Sequence, residues 1–259
     1  MRKFFIKILN YFNIFVSKTD WKKKFINRVD RDKKNISLDE IYKKLYSQKL
    51  LDKTIELIVF DVGANIGQSI DRFRQNHKKL KLHCFEPNKE AFVKLKKYQS
   101  SNIYINNFAL GEKNSTKEFY NYPKTSSSSF FEINKKSSIY EINKEYKKQH
   151  VEIKTLDEYL KDNNINKINI LKIDTQGFEV EVLKGAYNSI KNKRIDLIET
   201  EVNLGFQYKN QTTFKQIEDQ LYDNYLLIAI KEHGNSISNY DFQTNVVYVS
   251  KDFLDHNNI

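Results

Sequence analysis

The chain has 259 residues, of which 39% are hydrophobic and 14% aromatic, so it can bury a core, and its composition excludes global disorder. The formal net charge is +11, but residues 1–54 hold 15 Lys/Arg against 6 Asp/Glu, which leaves only +2 for the other 205 residues. This uneven distribution excludes a uniformly basic surface of the kind that binds nucleic acid, and the single cysteine, Cys84, excludes an intrachain disulfide and a cysteine-based zinc site.

Residues 1–54 are predicted to form a basic, helical N-terminal extension. Within residues 1–18, apolar side chains recur at helical spacing between basic ones, which indicates an amphipathic helix: Phe5, Ile8, Leu9, Phe12 and Val16. Such a helix can lie on a membrane surface, or it can pack on the domain or on a second subunit, and we favour packing because it is the more common use.

No segment of the chain has the features of a signal peptide or a membrane span. Lys7, Asn10 and Asn13 interrupt the apolar character of the first segment, and no small-residue cleavage site follows it. No apolar run approaches the ~18–20 residues that a transmembrane helix needs. The predicted location is the cytoplasm, and residues 1–18 could also hold the protein at a membrane surface. The sequence leaves the oligomeric state open.

Residues 55–259 are predicted to form one domain in which strands and helices alternate. Strands are predicted at 57–62, 81–86, 103–110, 117–122, 151–156, 168–174, 194–201, 225–231 and 244–250, and helices at 66–76, 89–98, 157–162, 178–190 and 213–223. This alternation predicts an α/β fold with a mostly parallel sheet, helices on both faces and an antiparallel pair of final strands. Ligands of such sheets bind beyond the carboxyl ends of the strands, where the sequence places Asp61, Glu86, Ala109, Asp174 and Glu199.

The first turn, DVGANIGQS at residues 61–69, lies between a strand and a helix. Gly63 can adopt the positive φ of a tight turn, and Gly67 lets a ligand or a neighbouring strand approach the backbone closely. The free N–H groups at the helix start would face that ligand, while Asp61 could accept a hydrogen bond from an ammonium group or stabilise the turn itself. Taken alone, the pattern is also compatible with an ordinary turn between a strand and a helix.

A second acid narrows the choice of ligand. Glu86 ends the next strand, 19 residues after Gly67, and an acid about 20 residues downstream is the usual partner of the two ribose hydroxyls of an adenosine. Nicotinamide enzymes use Gly-x-Gly-x-x-Gly against a pyrophosphate, whereas this chain has Gly-x-x-x-Gly headed by Asp61. S-adenosylmethionine has no phosphate and ends in a zwitterionic methionine, for which an acid and free backbone groups are suitable. S-adenosyl-L-methionine is therefore the predicted cofactor.

Four segments together resemble the FkbM family of S-adenosylmethionine-dependent methyltransferases: DVGANIGQS (61–69), FEPN (85–88), NNFALGE (106–112) and LKIDTQGFEVEVLKGA (171–186). TLDEYL (155–160) also fits, and the resemblance spans about residues 55–250. It implies a Rossmann-like class I methyltransferase fold, with a mostly parallel seven-stranded sheet and an antiparallel final strand. It also implies O-methylation of a hydroxyl, typically on sugars of surface glycans or glycolipids, or on polyketide-type natural products. In the last motif, Gln176 stands where an acid is common in the family.

The same resemblance implies the cofactor-binding residues. The first turn lines the methionine end, Glu86 takes the ribose, Asn107 and Ala109 lie near the adenine, and Asp174 faces the methyl-transfer region. The full predicted set is Asp61, Gly63, Ala64, Asn65, Gly67, Gln68, Ser69, Glu86, Pro87, Asn107, Ala109, Leu110 and Asp174. No metal is predicted, because nothing in this chemistry requires one, although carboxylates suit hard cations.

Three acids are candidates for a catalytic role, because a base can remove the hydroxyl proton as the new C–O bond forms. Asp174 is the first candidate, with orientation of the cofactor amine or of a substrate hydroxyl as an equal alternative. Glu179 is the second, and stabilisation of a helix start is its alternative role. Glu199 is the third and is expected to reach the acceptor, whereas Glu201 is expected to face solvent on the opposite side.

Several alternatives remain open at this point. The serine-rich loop 126–129, followed by Phe130 and Phe131, could be a mobile lid or an unremarkable linker. The chain could instead be a nicotinamide-dependent oxidoreductase, or a non-catalytic protein that binds an anionic polymer through its basic extension. The predicted partner is a hydroxyl-bearing substrate, a glycan or glycolipid, and no nucleic acid.

Overall fold

A computed structural model of the protein describes residues 54–231 and 243–256, together with Tyr42, Lys43 and Leu45. The predicted amphipathic helix at 1–18 and almost all of the N-terminal extension lie outside the described residues. Among the described residues, no helix combines the length and the apolar character that crossing a membrane requires.

Ten strands are present in the described ranges: β1 (Leu57–Val62), β2 (Leu80–Phe85), β3 (Ile103–Asn106), β4 (Ala109–Leu110), β5 (Ser115–Asn121), β6 (Lys147–Lys154), β7 (Ile168–Ile173), β8 (Ile195–Asn203), β9 (Tyr225–Ile230) and β10 (Gln243–Ser250). The α-helices between and after them are α1 (Gln68–Asn76), α2 (Lys89–Leu95), α3 (Leu156–Asp162), α4 (Glu179–Gly185), α5 (Tyr187–Lys191), α6 (Phe214–Leu221) and α7 (Lys251–His256). Short 3-10 helices occupy Lys96–Tyr98, Thr125–Ser127 and Glu141–Asn143.

The central sheet has seven strands in the order β3-β2-β1-β7-β8-β10-β9. The first five of these pair in parallel, and β10 runs antiparallel to both of its neighbours. The predicted mostly parallel sheet with an antiparallel ending is thus confirmed. The strand order reverses between β1 and β7, and this reversal opens a crevice at the carboxyl edge of the sheet.

The apolar strands are buried on both faces because helices cover the sheet on both sides. All nine residues of β8 are buried, and β1 and β7 are buried at every position except the second. Thr155 and Thr213 begin α3 and α6 by accepting a hydrogen bond from a backbone N–H of the first turn. The cap at Thr213 ends the loop after β8 at a defined residue, whereas the cap at Thr155 starts α3 directly after β6.

Two predicted elements are divided in the structure. The single strand expected at 103–110 becomes β3, in the central sheet, and β4, in a separate three-stranded sheet of order β4-β6-β5. The break falls at Asn107, whose side-chain Nδ2 donates to the carbonyl oxygen of Glu86 at 2.9 Å and so turns the chain away from the central sheet. The single helix expected at 178–190 is interrupted at Ala186, between α4 and α5.

Two residues of the predicted extension belong to the packed core. Tyr42 and Leu45 are each 2% exposed. The Tyr42 ring contacts the rings of Phe73, in α1, and of His77, just after α1, with centroid distances of 6.3 and 5.2 Å. The Tyr42 hydroxyl donates to Glu199 Oε2 at 2.7 Å. We therefore propose that the compact domain begins before Tyr42, earlier than the boundary predicted between residues 54 and 55.

Candidate functional site

A cavity of about 550 Å³ lies at the carboxyl edge of the central sheet. The loops that follow β1, β2, β7 and β8 contribute its floor and walls, which is where ligands bind in sheets of this type. Its volume is in the range of small-molecule pockets, roughly 300–1,000 Å³. The walls are mixed in character, with carboxylates and amides on some sides and phenylalanines on another.

The roof of the cavity is the segment 124–129, which follows β5. This roof segment is hydrogen-bonded to all four loops of the sheet edge. In the order of those loops, the contacts are Thr125 Oγ1 to Asn65 Oδ1 (2.9 Å), Asn88 Nδ2 to Ser128 Oγ (3.2 Å), Ser129 Oγ to the Gln176 carbonyl oxygen (2.7 Å) and Tyr208 OH to the Ser127 carbonyl oxygen (3.0 Å). The serine-rich loop is therefore part of the site, and whether it opens as a lid stays a prediction.

Glu86 is a buried carboxylate in the cavity wall, with 6% of its surface exposed. The backbone N–H of Asn65 donates to its Oε2 and the backbone N–H of Asn88 to its Oε1, each at 2.7 Å. Burial raises the pKa of Glu86 to about 7, even though both N–H groups favour the charged form and lower it. The two amides fix the orientation of a carboxylate that can still accept hydrogen bonds from a ligand.

The pKa of Glu86 predicts how ligand affinity depends on pH. A ribose diol donates two hydrogen bonds and needs the ionised carboxylate, so affinity falls as pH falls through about 7. Between pH 8 and pH 6, we expect the Kd of S-adenosylhomocysteine to rise about tenfold, as measured by isothermal titration calorimetry. Glu86→Gln is the control, since its affinity should vary little over this range; an equally steep pH dependence in this variant would assign the titration to another group.

Charged side chains form a buried row across the sheet beneath the cavity. In the strand pairing, Asp61 lies opposite Lys172, and Lys172 lies opposite Glu199. Lys172 Nζ is 3.0 Å from Asp61 Oδ1 and 3.4 Å from Asp174 Oδ2. Burial would lower the pKa of Lys172, but the surrounding carboxylates outweigh burial and raise it, so the ammonium stays charged.

Arg72 of α1 completes this row by pairing with Glu199. Its Nη1 and Nη2 donate to Glu199 Oε2 and Oε1 at 3.0 and 2.8 Å, which is a bidentate ion pair. The Glu199 side chain is 1% exposed and that of Arg72 is 18% exposed. The pair holds α1, and with it the turn that precedes the helix, against the sheet.

Removal of Arg72 alone is expected to destabilise the fold. Arg72→Met leaves Glu199 buried without its bidentate partner, and such a loss lowers the free energy of unfolding by about 3 kcal/mol. Urea denaturation measures this change. The double variant Arg72→Met/Glu199→Met removes both charges and should be more stable than Arg72→Met; a double variant that is less stable than the single one would contradict this account.

Asp174, Gln176 and Glu201 form a hydrogen-bonded group at one end of the cavity, called here the carboxylate–amide group. Gln176 Nε2 donates to Asp174 Oδ1 at 2.9 Å and to Glu201 Oε2 at 2.8 Å. Gln176 Oε1 lies 2.9 Å from the hydroxyl of Tyr208, which shares its single hydrogen between this oxygen and the Ser127 carbonyl oxygen. The orientation of the amide is fixed by the two carboxylates, which accept from Nε2. Gln176 has a φ of 58°, an uncommon value for a residue other than glycine.

Most of the predicted cofactor-binding residues lie together in the cavity wall: Gly63, Ala64, Asn65, Gln68, Ser69, Glu86, Pro87, Ala109, Leu110 and Asp174. Their role in binding remains a prediction. Three others lie behind the wall. Asp61 is fully buried against Lys172, Asn107 donates to the backbone of Glu86, and a Cβ on Gly67 would meet the Tyr98 ring at 2.4 Å. The close approach expected at Gly67 is thus made by a side chain of the protein.

Two of the three catalytic candidates, Glu179 and Glu199, do not line the cavity. Glu179 is 1% exposed, and its Oε1 accepts from the N–H groups of Thr175 and Gly177 at 3.0 and 3.1 Å, so it holds the turn after β7. Glu199 is occupied by its ion pair. The expectation that Glu199 and Glu201 face opposite sides is wrong, because residues two apart on a strand share a face.

Glu201 lies nearer the carboxyl edge than Glu199 by two residues, or about 6.6 Å of strand. It therefore lines the cavity. Only 8% of Glu201 is exposed, whereas its side chain was expected from the sequence to face solvent. Lys172 was not predicted at all. A lysine within the apolar run INILKID is a signal that could have identified it, because a buried cation needs an acidic partner.

Residues 61–237 match the family model described as the methyltransferase FkbM domain. A similar curated protein is the 2-O-methyltransferase NoeI of Sinorhizobium fredii, 24% identical over 183 residues, which cover 66% of this chain and 73% of that protein.

Solved structures with similar folds include an rRNA methylase from Streptococcus thermophilus, at 12% identity and a TM-score of 0.45, covering 83% of this chain and 98% of that chain. Another is the N-terminal domain of human METTL16 in complex with S-adenosylhomocysteine, at 10% identity and a TM-score of 0.45, covering 91% of this chain and 72% of that chain. The assignment of the fold rests on the strand order and on the match to the family model.

Proposed function

The chain belongs to the FkbM family of S-adenosylmethionine-dependent methyltransferases, and on that premise we propose that it transfers the methyl group to a hydroxyl of a sugar in a glycan or glycolipid. Membership of this family decides against a nicotinamide-dependent oxidoreductase. The location in the cytoplasm and the membrane contact through residues 1–18 remain proposals.

The residues of the cavity fit the cofactor at each of its ends. Glu86, oriented by two backbone amides, is suited to the ribose diol. Asp174 lies in the wall beyond the turn after β1 and is suited to the ammonium group of the methionine end. Leu110, Phe119 and Phe130 supply an apolar wall suited to the adenine ring.

The observation that supports a hydroxyl acceptor is the polar character of the remaining wall. Besides the carboxylate–amide group, the side chains of Gln207 and Gln243 line the cavity. Amides and carboxylates arranged around one volume can donate and accept several hydrogen bonds at once, as a polyhydroxyl substrate requires. The relative from Sinorhizobium fredii is a 2-O-methyltransferase by name, which favours the same chemistry.

The cofactor supplies a methyl group that is already activated on a sulfonium, so the protein mainly has to bind and orient the two reactants. The roof segment, hydrogen-bonded to all four loops, covers one side of the cavity. The buried charge row keeps the turn after β1 in register with the end of β7. The carboxylate–amide group orients the acceptor hydroxyl.

The proposal is tested with S-adenosylmethionine labelled in the methyl group and a glycan and glycolipid extract of the source cells. We expect label in an O-methyl ether of a sugar, identified by mass spectrometry after hydrolysis. In a thermal-shift assay, S-adenosylmethionine should stabilise the protein and NAD should not, since only a bound ligand raises the Tm. Label found on nitrogen or carbon, or in nucleic acid, would overturn the proposed acceptor.

A further inference from the structure

We propose that Glu201 accepts the proton of the acceptor hydroxyl and that Gln176 is the positioning residue that holds it in place. This inference rests on the proposed transfer to a hydroxyl. Glu201 was expected from the sequence to face solvent. The proposal gives Glu201 the role of proton acceptor and leaves Asp174 to the ammonium group of the cofactor.

The two carboxylates of the group differ in how their oxygens are used. Asp174 Oδ1 accepts from Gln176 and Asp174 Oδ2 lies 3.4 Å from Lys172 Nζ, so each oxygen already has one donor of the protein and can accept one further hydrogen bond, as from an ammonium group. Glu201 Oε2 accepts from Gln176, and across the described ranges no protein group donates to Glu201 Oε1. Glu201 thus offers the cavity an oxygen that can take up a proton.

Gln176 is held so that it can serve only as a donor to both acids. The two hydrogens of its Nε2 are directed at Asp174 and Glu201, and its Oε1 lies 2.9 Å from the Tyr208 hydroxyl. Its backbone is also held, because the carbonyl oxygen of Gln176 accepts from Ser129 Oγ of the roof segment at 2.7 Å. An amide in this place adds no third negative charge between the two carboxylates.

The surroundings of Glu201 favour its protonated form. Burial raises its pKa well above the usual value, the carboxylates of Asp174 and Glu179 raise it further, and Lys172 and the hydrogen bond from Gln176 lower it. Tyr208 also faces Glu201, and burial and the Glu201 charge raise the pKa of that tyrosine. A base with a raised pKa is better matched to a weakly acidic hydroxyl near neutral pH.

The step balances in atoms and charge. The acceptor O–H bond breaks, and its proton passes to Glu201 while the acceptor oxygen forms a bond to the methyl carbon. The C–S bond breaks with its electron pair remaining on sulfur, so the sulfonium becomes a neutral thioether. Glu201 becomes a neutral carboxylic acid and returns its proton to solvent after the products leave.

The test compares Glu201→Gln, Glu201→Asp and wild type. Glu152→Gln, on the exposed part of β6, is the matched control. The probes are S-adenosylhomocysteine, for affinity by calorimetry, and labelled S-adenosylmethionine with methyl glycosides and the glycolipid extract, for single-turnover rates. Infrared difference spectra of the S-adenosylhomocysteine complex during a pH titration provide a third measurement, which needs no acceptor.

For Glu201→Gln we expect a rate about 1,000-fold below wild type, with the Kd of S-adenosylhomocysteine changed less than about threefold. Glu201→Asp should recover part of the rate. The wild-type rate should rise with pH until Glu201 is ionised, and this rise should be absent in Glu201→Gln. The infrared spectra of wild type should contain a carboxylic-acid band that titrates above the usual range of glutamate and that is missing from Glu201→Gln, whereas the bands of other buried acids such as Glu86 and Glu179 remain in both proteins.

Four results would overturn the proposal. A wild-type rate in Glu201→Gln, or a Glu201 that titrates as an exposed glutamate does, removes Glu201 as the proton acceptor and leaves the methyltransferase function intact. An equal loss of cofactor affinity and rate in Glu201→Gln assigns Glu201 to binding. Wild-type protein that binds S-adenosylhomocysteine but methylates no glycoside and nothing in the extract refutes the hydroxyl acceptor, and the role of Glu201 with it.

Discussion

Glu86→Ala is expected to abolish binding of S-adenosylmethionine, raising its Kd by at least about 100-fold. Each hydrogen bond from a hydroxyl to a charged acceptor contributes about 1.5–3 kcal/mol, so the loss of two such bonds accounts for this change. The variant also leaves the backbone N–H groups of Asn65 and Asn88 without their acceptor. The turn that surrounds the cofactor is therefore weakened as well.

The affinity is measured by calorimetry with S-adenosylhomocysteine, and Glu90→Ala is the matched control. Glu90 is exposed on α2, four residues from Glu86, and its removal should leave the Kd unchanged. Glu86→Gln keeps the size of the side chain and should bind with intermediate affinity. Micromolar affinity in a folded Glu86→Ala protein would contradict the assignment of the ribose to this carboxylate.

Gly63→Ala is expected to lower the free energy of unfolding by at least about 5 kcal/mol, which is an exceptional loss for one substitution and equals the whole stability of a marginally stable domain. A Cβ at this position would lie 1.9 Å from the carbonyl oxygen of Asp174, and the φ of Gly63 is +82°. The obstacle is backbone, which cannot move aside as a side chain can. The turn after β1 and the end of β7 would have to separate, and this separation would open the cavity floor.

Urea denaturation and circular dichroism measure this effect, with Gly111→Ala as the comparison. At Gly111 a Cβ would meet only side chains, those of Ile153 at 2.8 Å and Phe178 at 3.1 Å. These side chains can shift, so we expect a cost of about 2 kcal/mol, as for moderate overpacking. A Gly63→Ala protein as stable as Gly111→Ala would mean that the two loops can move apart at little cost.

Local patterns along the chain were sufficient for the architecture and for part of the site. The buried strands appear in the sequence as short β-branched runs, because both faces of a central strand lie against apolar helices. Gly63 directly follows β1 and Glu86 directly follows β2. These two strands are parallel neighbours, so their carboxyl ends lie at the same edge of the sheet. The cavity wall between these two residues was therefore predictable from spacing alone.

The use of the other acids depended on partners that are distant in the sequence. Glu199 pairs with Arg72, 127 residues away, and with Tyr42, 157 residues away, whereas Glu201 lies two residues further along the same face and reaches the cavity. Spacing identifies an acid at the end of a strand but does not reveal which cation will neutralise it. Ion pairs and burial arise only when the chain is folded, and they decide which carboxylates are structural and which remain available for chemistry.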